Sequence, residues 1–440
     1  MVHVATLLSA CLALSCAHAA ATSSAAAPPA LGGRTGFLHP DGDNATGLFY
    51  WIFEATEVAP ADAPLVLWLQ GGPGASSLLG QFYELGPHRL AEGGAAGVAP
   101  TANAAAWNQR ANLVFIDQPF GTGFSYANDA ARLVTSMPQM AAALRLALAG
   151  LAIAEPDLAG LTAGTGSGAG RPLWLTGESY AGKYIPYLAT EVMARGGVLA
   201  AALRRGGLAI GDGWVDPARI VASYPDFAYA HGLVGGAQRD AMDANVTLFE
   251  AAVSAGNWGA ATDIEHGVEA YMESASGANA YDVRHLGPYD FDALAGYLAR
   301  PDVKAALGVG GRPWTLGSPA VAAALHDDVA KPASQLIAPL LDEHGLRVLL
   351  YNGENDFDCN IVGTLSWLAA MRWSGQAAFA SAPRTQWAPP GAESGGVAGY
   401  ATSVGNLTQL TLVGCGHMVP MNVPRTAVAM LNQLLAGTPF

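Results

Sequence analysis

The chain has 440 residues, with 35 acidic against 21 basic side chains and a formal net charge of −14, yet only 13% of its residues are charged. That length holds one large core plus an insertion, or two modest domains, and the charge balance argues against nucleic acid, whose phosphates would repel it. The low charged fraction rules out an acidic disordered tail, and past the N-terminus no uncharged apolar run of about 18 residues occurs, so no membrane span is expected.

Ala5 to Cys16 is an apolar stretch of signal-peptide length, followed by the cleavage pattern Ala17-His18-Ala19. Residues 1–19 are therefore expected to be removed on entry to the secretory pathway, with an extracellular or vacuolar/lysosomal destination. Glycosylation sequons at Asn44, Asn245 and Asn406 agree with that route. Cys11 and Cys16 would leave with the leader, so Cys359 and Cys415 remain and the fold must rest on its core.

Pro64 to Leu69 predicts a buried strand, and Gln70-Gly71-Gly72-Pro73-Gly74-Ala75-Ser76-Ser77 follows it. Glycines there let backbone N–H groups approach a substrate carbonyl, as an oxyanion hole requires. Ala91 to Ala106 reads as a flexible surface loop, and Asn112 to Ile116 as the next strand. Met140 to Ala154 predicts a helix, Gly160 to Gly170 a second loop, and Leu173 to Thr176 a third strand. That strand runs directly into Gly177-Glu178-Ser179-Tyr180-Ala181-Gly182, and a helix follows over Tyr184 to Arg195. Strand, tight turn and helix in this order lift a serine hydroxyl clear of a sheet.

Leu208 to Ile210 predicts a fourth strand, after which the strand signal fades between about Pro217 and Pro301. Core segments 20–216 and 302–440 around a helical cap at 217–301 are the expected organisation. Two further strands, Leu346 to Tyr351 and Leu410 to Val413, flank the loop Gly391 to Gly399. Asp356 follows the first of these strands and His417 the second, in glycine-rich settings that no other histidine shares. Ser179, Asp356 and His417 thus lie at strand ends in the chain order of a hydrolase triad, with Glu354, Asp358 and Asp342 as rival acids by proximity. Mostly apolar strands alternating with helices predict an α/β fold with a mostly parallel sheet.

Together, Trp68 to Ser77, Asp117-Gln118-Pro119 with Gly123-Phe124-Ser125-Tyr126, Gly177 to Pro186, Asp356 to Asn360 and Gly416 to Pro420 resemble the serine carboxypeptidase family of α/β-hydrolases in order and spacing. The resemblance spans residues 35 to 435. It implies Ser179 as nucleophile, His417 as general base and Asp356 as its orienting acid. It also implies an oxyanion hole from the N–H groups of Gly72 and Tyr180, and a grip on the substrate's terminal carboxylate by Gln70, Gly71 N–H and Glu178. Two carboxyl groups hydrogen-bond only when one holds a proton, so such binding should strengthen at acid pH. Asp358, Cys359 and Met418 are expected beside the substrate pocket.

The chain departs from the family in having Gln70 where many members have asparagine. It also has Ala75 where a cysteine is usual, which removes one common family disulfide. The family often has a free cysteine at the position of Cys359, so a lone buried thiol beside the site is the default; the alternative is a bridge, since closeness of Asp356 and His417 would bring Cys359 and Cys415 towards the roughly 4.4–6.8 Å a disulfide needs. The reading is therefore a serine carboxypeptidase acting on peptide or protein C-termini, with no metal or organic cofactor and an open oligomeric state, a homodimer included. Two rivals are an acyltransferase using the same triad and a secreted binding protein without turnover; the intact triad and elbow argue against the second.

Overall fold

The computed structural model describes residues 31–161 and 170–440. The expected leader and most of the Gly160 to Gly170 loop lie outside the described residues. Ten strands form the path of one sheet: β1 (Arg34–Leu38), β2 (Thr46–Phe53), β3 (Leu65–Leu69), β4 (Asn112–Ile116), β5 (Leu173–Ser179), β6 (Gly207–Gly213), β7 (Val348–Gly353), β8 (Thr385–Trp387), β9 (Gly399–Val404) and β10 (Leu407–Leu412). Their spatial order is β1-β2-β4-β3-β5-β6-β7-β10-β9-β8, and the short strand Tyr126–Ala127 pairs with β2 off this path. The central strands β4, β3, β5, β6, β7 and β10 run parallel. Both edges are antiparallel.

The sequence dictates why these strands are central. Every residue of β3, β4, β6 and β7 is buried, as expected when helices cover both faces of a sheet. Alternate side chains then serve two cores: Leu65, Leu67 and Leu69 enter one, Val66 and Trp68 the other. Helices Met137–Ala154 and Ala181–Arg195 supply the first core with Leu144, Leu148, Ile185 and Leu188, and Pro424–Ala436 supplies the second with Met430 and Leu431. Met137–Ala154 is long and apolar enough to cross a membrane, with mean hydropathy 1.4, but it lays this buried face on Ala181–Arg195.

The differences from the sequence reading lie mainly at the edges. The pairs β1–β2 and β8–β9 were not anticipated. β2, whose run Leu48-Phe49-Tyr50-Trp51-Ile52-Phe53 is wholly buried, carries a strand signal; β9 begins at Gly399, inside the expected loop. The strand expected from Leu410 starts at Leu407, where a buried leucine enters the core. Between β6 and β7 the chain runs through helices Tyr224–Ala230, Gly236–Ser254 and Trp258–Ser276, then a hairpin of Ala278–Asn279 with Asp282–Leu286. Further helices at Pro301–Ala306 and Pro319–Val329 precede β7.

Candidate active site

Ser179 ends β5, and Tyr180 leads into helix Ala181–Arg195. Its φ of +63° is left-handed, a conformation costing a non-glycine residue about 1–3 kcal/mol and retained only where the surroundings enforce it. Those surroundings are tight. A Cβ on Gly71 would lie 2.5 Å from both Ser179 Cβ and Tyr180 N, and one on Gly182 would lie 2.6 Å from Trp214 N. Trp214 N–H donates to Ser179 O at 2.8 Å, tying the turn to β6.

Asp356 follows β7 and His417 follows β10, neighbouring parallel strands, so their ends bring the two side chains together. His417 Nδ1 and Asp356 Oδ2 are 2.9 Å apart, and both residues are buried. Asp356 Oδ2 also accepts from Cys359 N at 3.2 Å. Burial pushes the His417 pKa down, but the charge and hydrogen bond of Asp356, helped by Asp358 and Glu84, outweigh it and raise the net value. The rival acids are engaged elsewhere: Glu354 accepts from Gly414 N, and Asp342 from Ser374. His417 N donates to Tyr281 O at 2.7 Å, and the two rings lie 4.9 Å apart; the hairpin residue Tyr281 carries no sequence motif.

Register explains the next cluster. Leu69 faces Gly177 across β3 and β5, which places Gln70 beside Glu178. Trp68 Nε1 donates to Gln70 Oε1 at 2.9 Å, and Gln70 Nε2 donates to Glu178 Oε1 at 2.5 Å. Glu178 Oε2 has no partner. The turn Gly80–Glu84 adds Glu84, which sequence reasoning missed; it is buried and both its oxygens lack hydrogen bonds. Burial, then the charge of Glu84, pushes the Glu178 pKa well above the usual carboxylate range; burial likewise raises Glu84. Two adjacent carboxyl groups in a dry site disfavour a charge on both, which favours the neutral form of one.

The loop after β3 is held by Asp117. Its Oδ1 accepts from Ser76 Oγ at 2.6 Å and Ser77 N at 2.9 Å, and its Oδ2 accepts from Phe124 N at 2.9 Å. This fastens the loop that contains Gly72, at φ +112°, to the end of β4. Ala75, in the place of a cysteine, bridges to Gly317 by backbone pairing alone.

Cys359 is buried with its Sγ within 4.8 Å of ligating atoms of Asp356 and His417. Met418 is buried and Asp358 half-buried; burial lifts the Asp358 pKa to about 6. Of the two readings of the cysteines the lone buried thiol holds: Cys359 and Cys415 are both free. Cys359 belongs to the core containing Leu65, Cys415 to the core containing Trp68, so the two side chains serve different faces. Asn44, Asn245 and Asn406 are all exposed.

Comparison with known proteins gives a consistent answer. Residues 25–437 match the family model described as serine carboxypeptidase. The chain is 33% identical over 423 residues to serine carboxypeptidase-like 49 of Arabidopsis thaliana, covering 93% of this chain and 77% of that protein. It is 32% identical over 435 residues to the pheromone-processing carboxypeptidase kex1 of Aspergillus niger, covering 92% and 68%. Its fold is similar to the crystal structure of a prohormone-processing carboxypeptidase of Saccharomyces cerevisiae, with a TM-score of 0.77 at 24% identity over 92% of this chain and 90% of that one. An α/β-hydrolase sheet with a serine at its elbow, matched over nearly its whole length by this model, makes the chain a hydrolase that belongs to the serine carboxypeptidase family.

Proposed function

We propose that the protein releases single residues from peptide C-termini through an acyl-enzyme, with optimal binding at acid pH. Ser179 Oγ attacks the last peptide carbonyl while His417 takes its proton; the C–N bond breaks as that proton passes to the leaving amine. Water then repeats the sequence, and the Ser179 ester is hydrolysed. Asp356 orients the imidazole, and the N–H groups of Gly72 and Tyr180 hold the oxyanion. Residues 217–301 act as a cap, and the exposed sequons fit passage through the secretory route to an extracellular or vacuolar/lysosomal destination.

What carries this reading is the position of Glu178. It is a buried carboxyl bonded to Gln70 and immediately precedes Ser179 on the same strand. A terminal carboxylate gripped there by Gln70, Gly71 N–H and protonated Glu178 places the last peptide bond at the nucleophile. The test is release of free amino acid from an N-blocked dipeptide, compared with its C-terminal amide, with Ser179→Ala as control. Preference for the free acid supports the reading; equal turnover of acid and amide sinks it.

A further inference from the structure

Asp212 is fully buried at the end of β6, and neither its backbone nor its charge is accounted for by the reaction above. Among the described residues, Ser179 and Asp212 are the only non-glycine positions with positive φ, +63° and +41°. They are neighbours across the sheet. Glu178 faces Gly211 and Ser179 faces Gly213, so Asp212 is the extra residue of a β-bulge opposite the nucleophile elbow. A bulge re-aims one side chain at the cost of a ladder position, and aspartate tolerates the left-handed region better than most residues.

The side chain reaches the end of the strand that leads to Asp356. Asp212 Oδ1 accepts from Gly353 N at 2.8 Å, and Gly353 ends β7 three residues before Asp356. Asp212 Oδ2 and Asp356 Oδ1 are both buried without a partner, whereas Asp356 Oδ2 is engaged by His417 Nδ1 and Cys359 N. Two neighbouring carboxyl groups, each with one engaged and one orphaned oxygen, are satisfied by one proton between them. The titratable groups facing Asp212 are Asp356, Glu178, Tyr351, Cys359 and Cys415, none of them a cation. Burial, then the charge of Asp356, drives the Asp212 carboxyl well above its ordinary range. Asp356 Oδ2 already faces a ring nitrogen and a backbone nitrogen and its Oδ1 lacks a donor, whereas the orphaned Oδ2 of Asp212 is free to carry one.

We propose that Asp212 is a positioning residue for the catalytic acid: as the neutral carboxylic acid it donates its O–H to Asp356 Oδ1 and so keeps Asp356 Oδ2 facing His417 Nδ1. The bulge exists to deliver this donor from beneath the elbow. Ser179 and Asp356 are thereby braced by a single strand end.

The test compares Asp212→Asn, which keeps both a donor and an acceptor, with Asp212→Ala, which keeps neither. Rates are measured across pH on an N-blocked dipeptide, per active site counted by a covalent serine-directed inhibitor. Losing the donor strands a buried carboxylate oxygen, which lowers kcat about tenfold or more in Asp212→Ala with KM within about twofold. Asp212→Asn keeps kcat within about threefold, and its acid limb, set by His417, stays within about 0.2 pH unit of the parent, because one neutral group replaces another. A downward shift of that limb by about half a unit or more overturns the proposal, since it means a negative charge was removed. So does an asparagine variant as slow as the alanine one, or an alanine variant with kcat within about twofold of the parent. If alanine fails to fold at φ +41°, Asp212→Gly, which relieves the backbone, takes its place with the same thresholds.

Discussion

Replacing Glu178 by glutamine isolates the proton on which carboxylate binding depends. Gln70 Nε2 already donates to Glu178 Oε1, which leaves the buried Oε2 without a partner and, on the proposed reading, available to the substrate carboxylate. In the parent, binding is strong while the Glu84–Glu178 pair holds its proton. Both carboxyl groups titrate above their ordinary range, so that proton is present at acid pH and lost as pH rises through the raised value. Beyond that point a substrate carboxylate must enter a dry site carrying one more negative charge and one fewer donor. KM then climbs about tenfold per pH unit, or 1.36 kcal/mol per unit. In Glu178→Gln the Oε1 acceptor for Gln70 is preserved, and Nε2 donates at every pH. About two units above the parent's midpoint, where the parent's KM has risen about a hundredfold, the variant's should have risen less than about threefold. The assay is KM against pH for an N-blocked dipeptide acid, with the matching amide as a control that is indifferent to pH in both proteins. Superimposable KM profiles for parent and variant would refute the reasoning, because no other substitution consequence mimics the loss of that single proton.

Three other outcomes are expected. Ser179→Ala should lose most of the roughly 10⁴–10⁶-fold acceleration of a triad, and Asp356→Asn should fall by orders of magnitude, while Glu354→Gln and Asp342→Asn stay near the parent rate in the same peptide assay. Thiol titration of the denatured, unreduced protein should find both Cys359 and Cys415 reactive; their absence from the count would contradict the free-thiol geometry. Lys183, fully buried on the nucleophile helix, pairs with Asp328 at 2.8 Å, so Asp328→Ala strands a buried ammonium and should cost about 3–5 kcal/mol by denaturant unfolding. A loss below about 1 kcal/mol would show that the pair is solvated.

How much of this was readable in advance follows from where each signal resides. Strands β3, β4 and β7 were legible because each is an unbroken apolar run between turn residues, the pattern of a doubly covered strand. Ser179, Asp356 and His417 could be proposed from the sequence because each lies at the end of a strand within glycines that clear the backbone. The cysteine pair stayed open at the sequence level for a geometric reason. Nearness of Asp356 to His417 fixes the loop ends but not the Cβ directions, and Cys359 and Cys415 turn to opposite faces of the sheet. Glu84 was invisible because its relation to Glu178 exists only across the turn Gly80–Glu84, with no fixed spacing to Ser179. Asp212 was hidden for the same reason: Gly211-Asp212-Gly213 reads as a strand end, and only the pairing register reveals the bulge.

The acids around His417 also answer an apparent conflict. A carboxylate grip that needs protonated Glu178 favours acid pH, whereas a general base must be neutral, and the net pKa of His417 is raised. The rise is not owed to Asp356 alone; Asp358 and Glu84 contribute through their charge. Burial lifts the pKa of both, Asp358 to about 6, so they lose that charge as pH falls. The negative field at the imidazole therefore weakens as Asp358 and Glu84 take up protons. Protonation of Asp358 and of Glu84 thus lowers the charge that raises His417 on the same side of the pH scale on which the proposed carboxylate grip holds its proton.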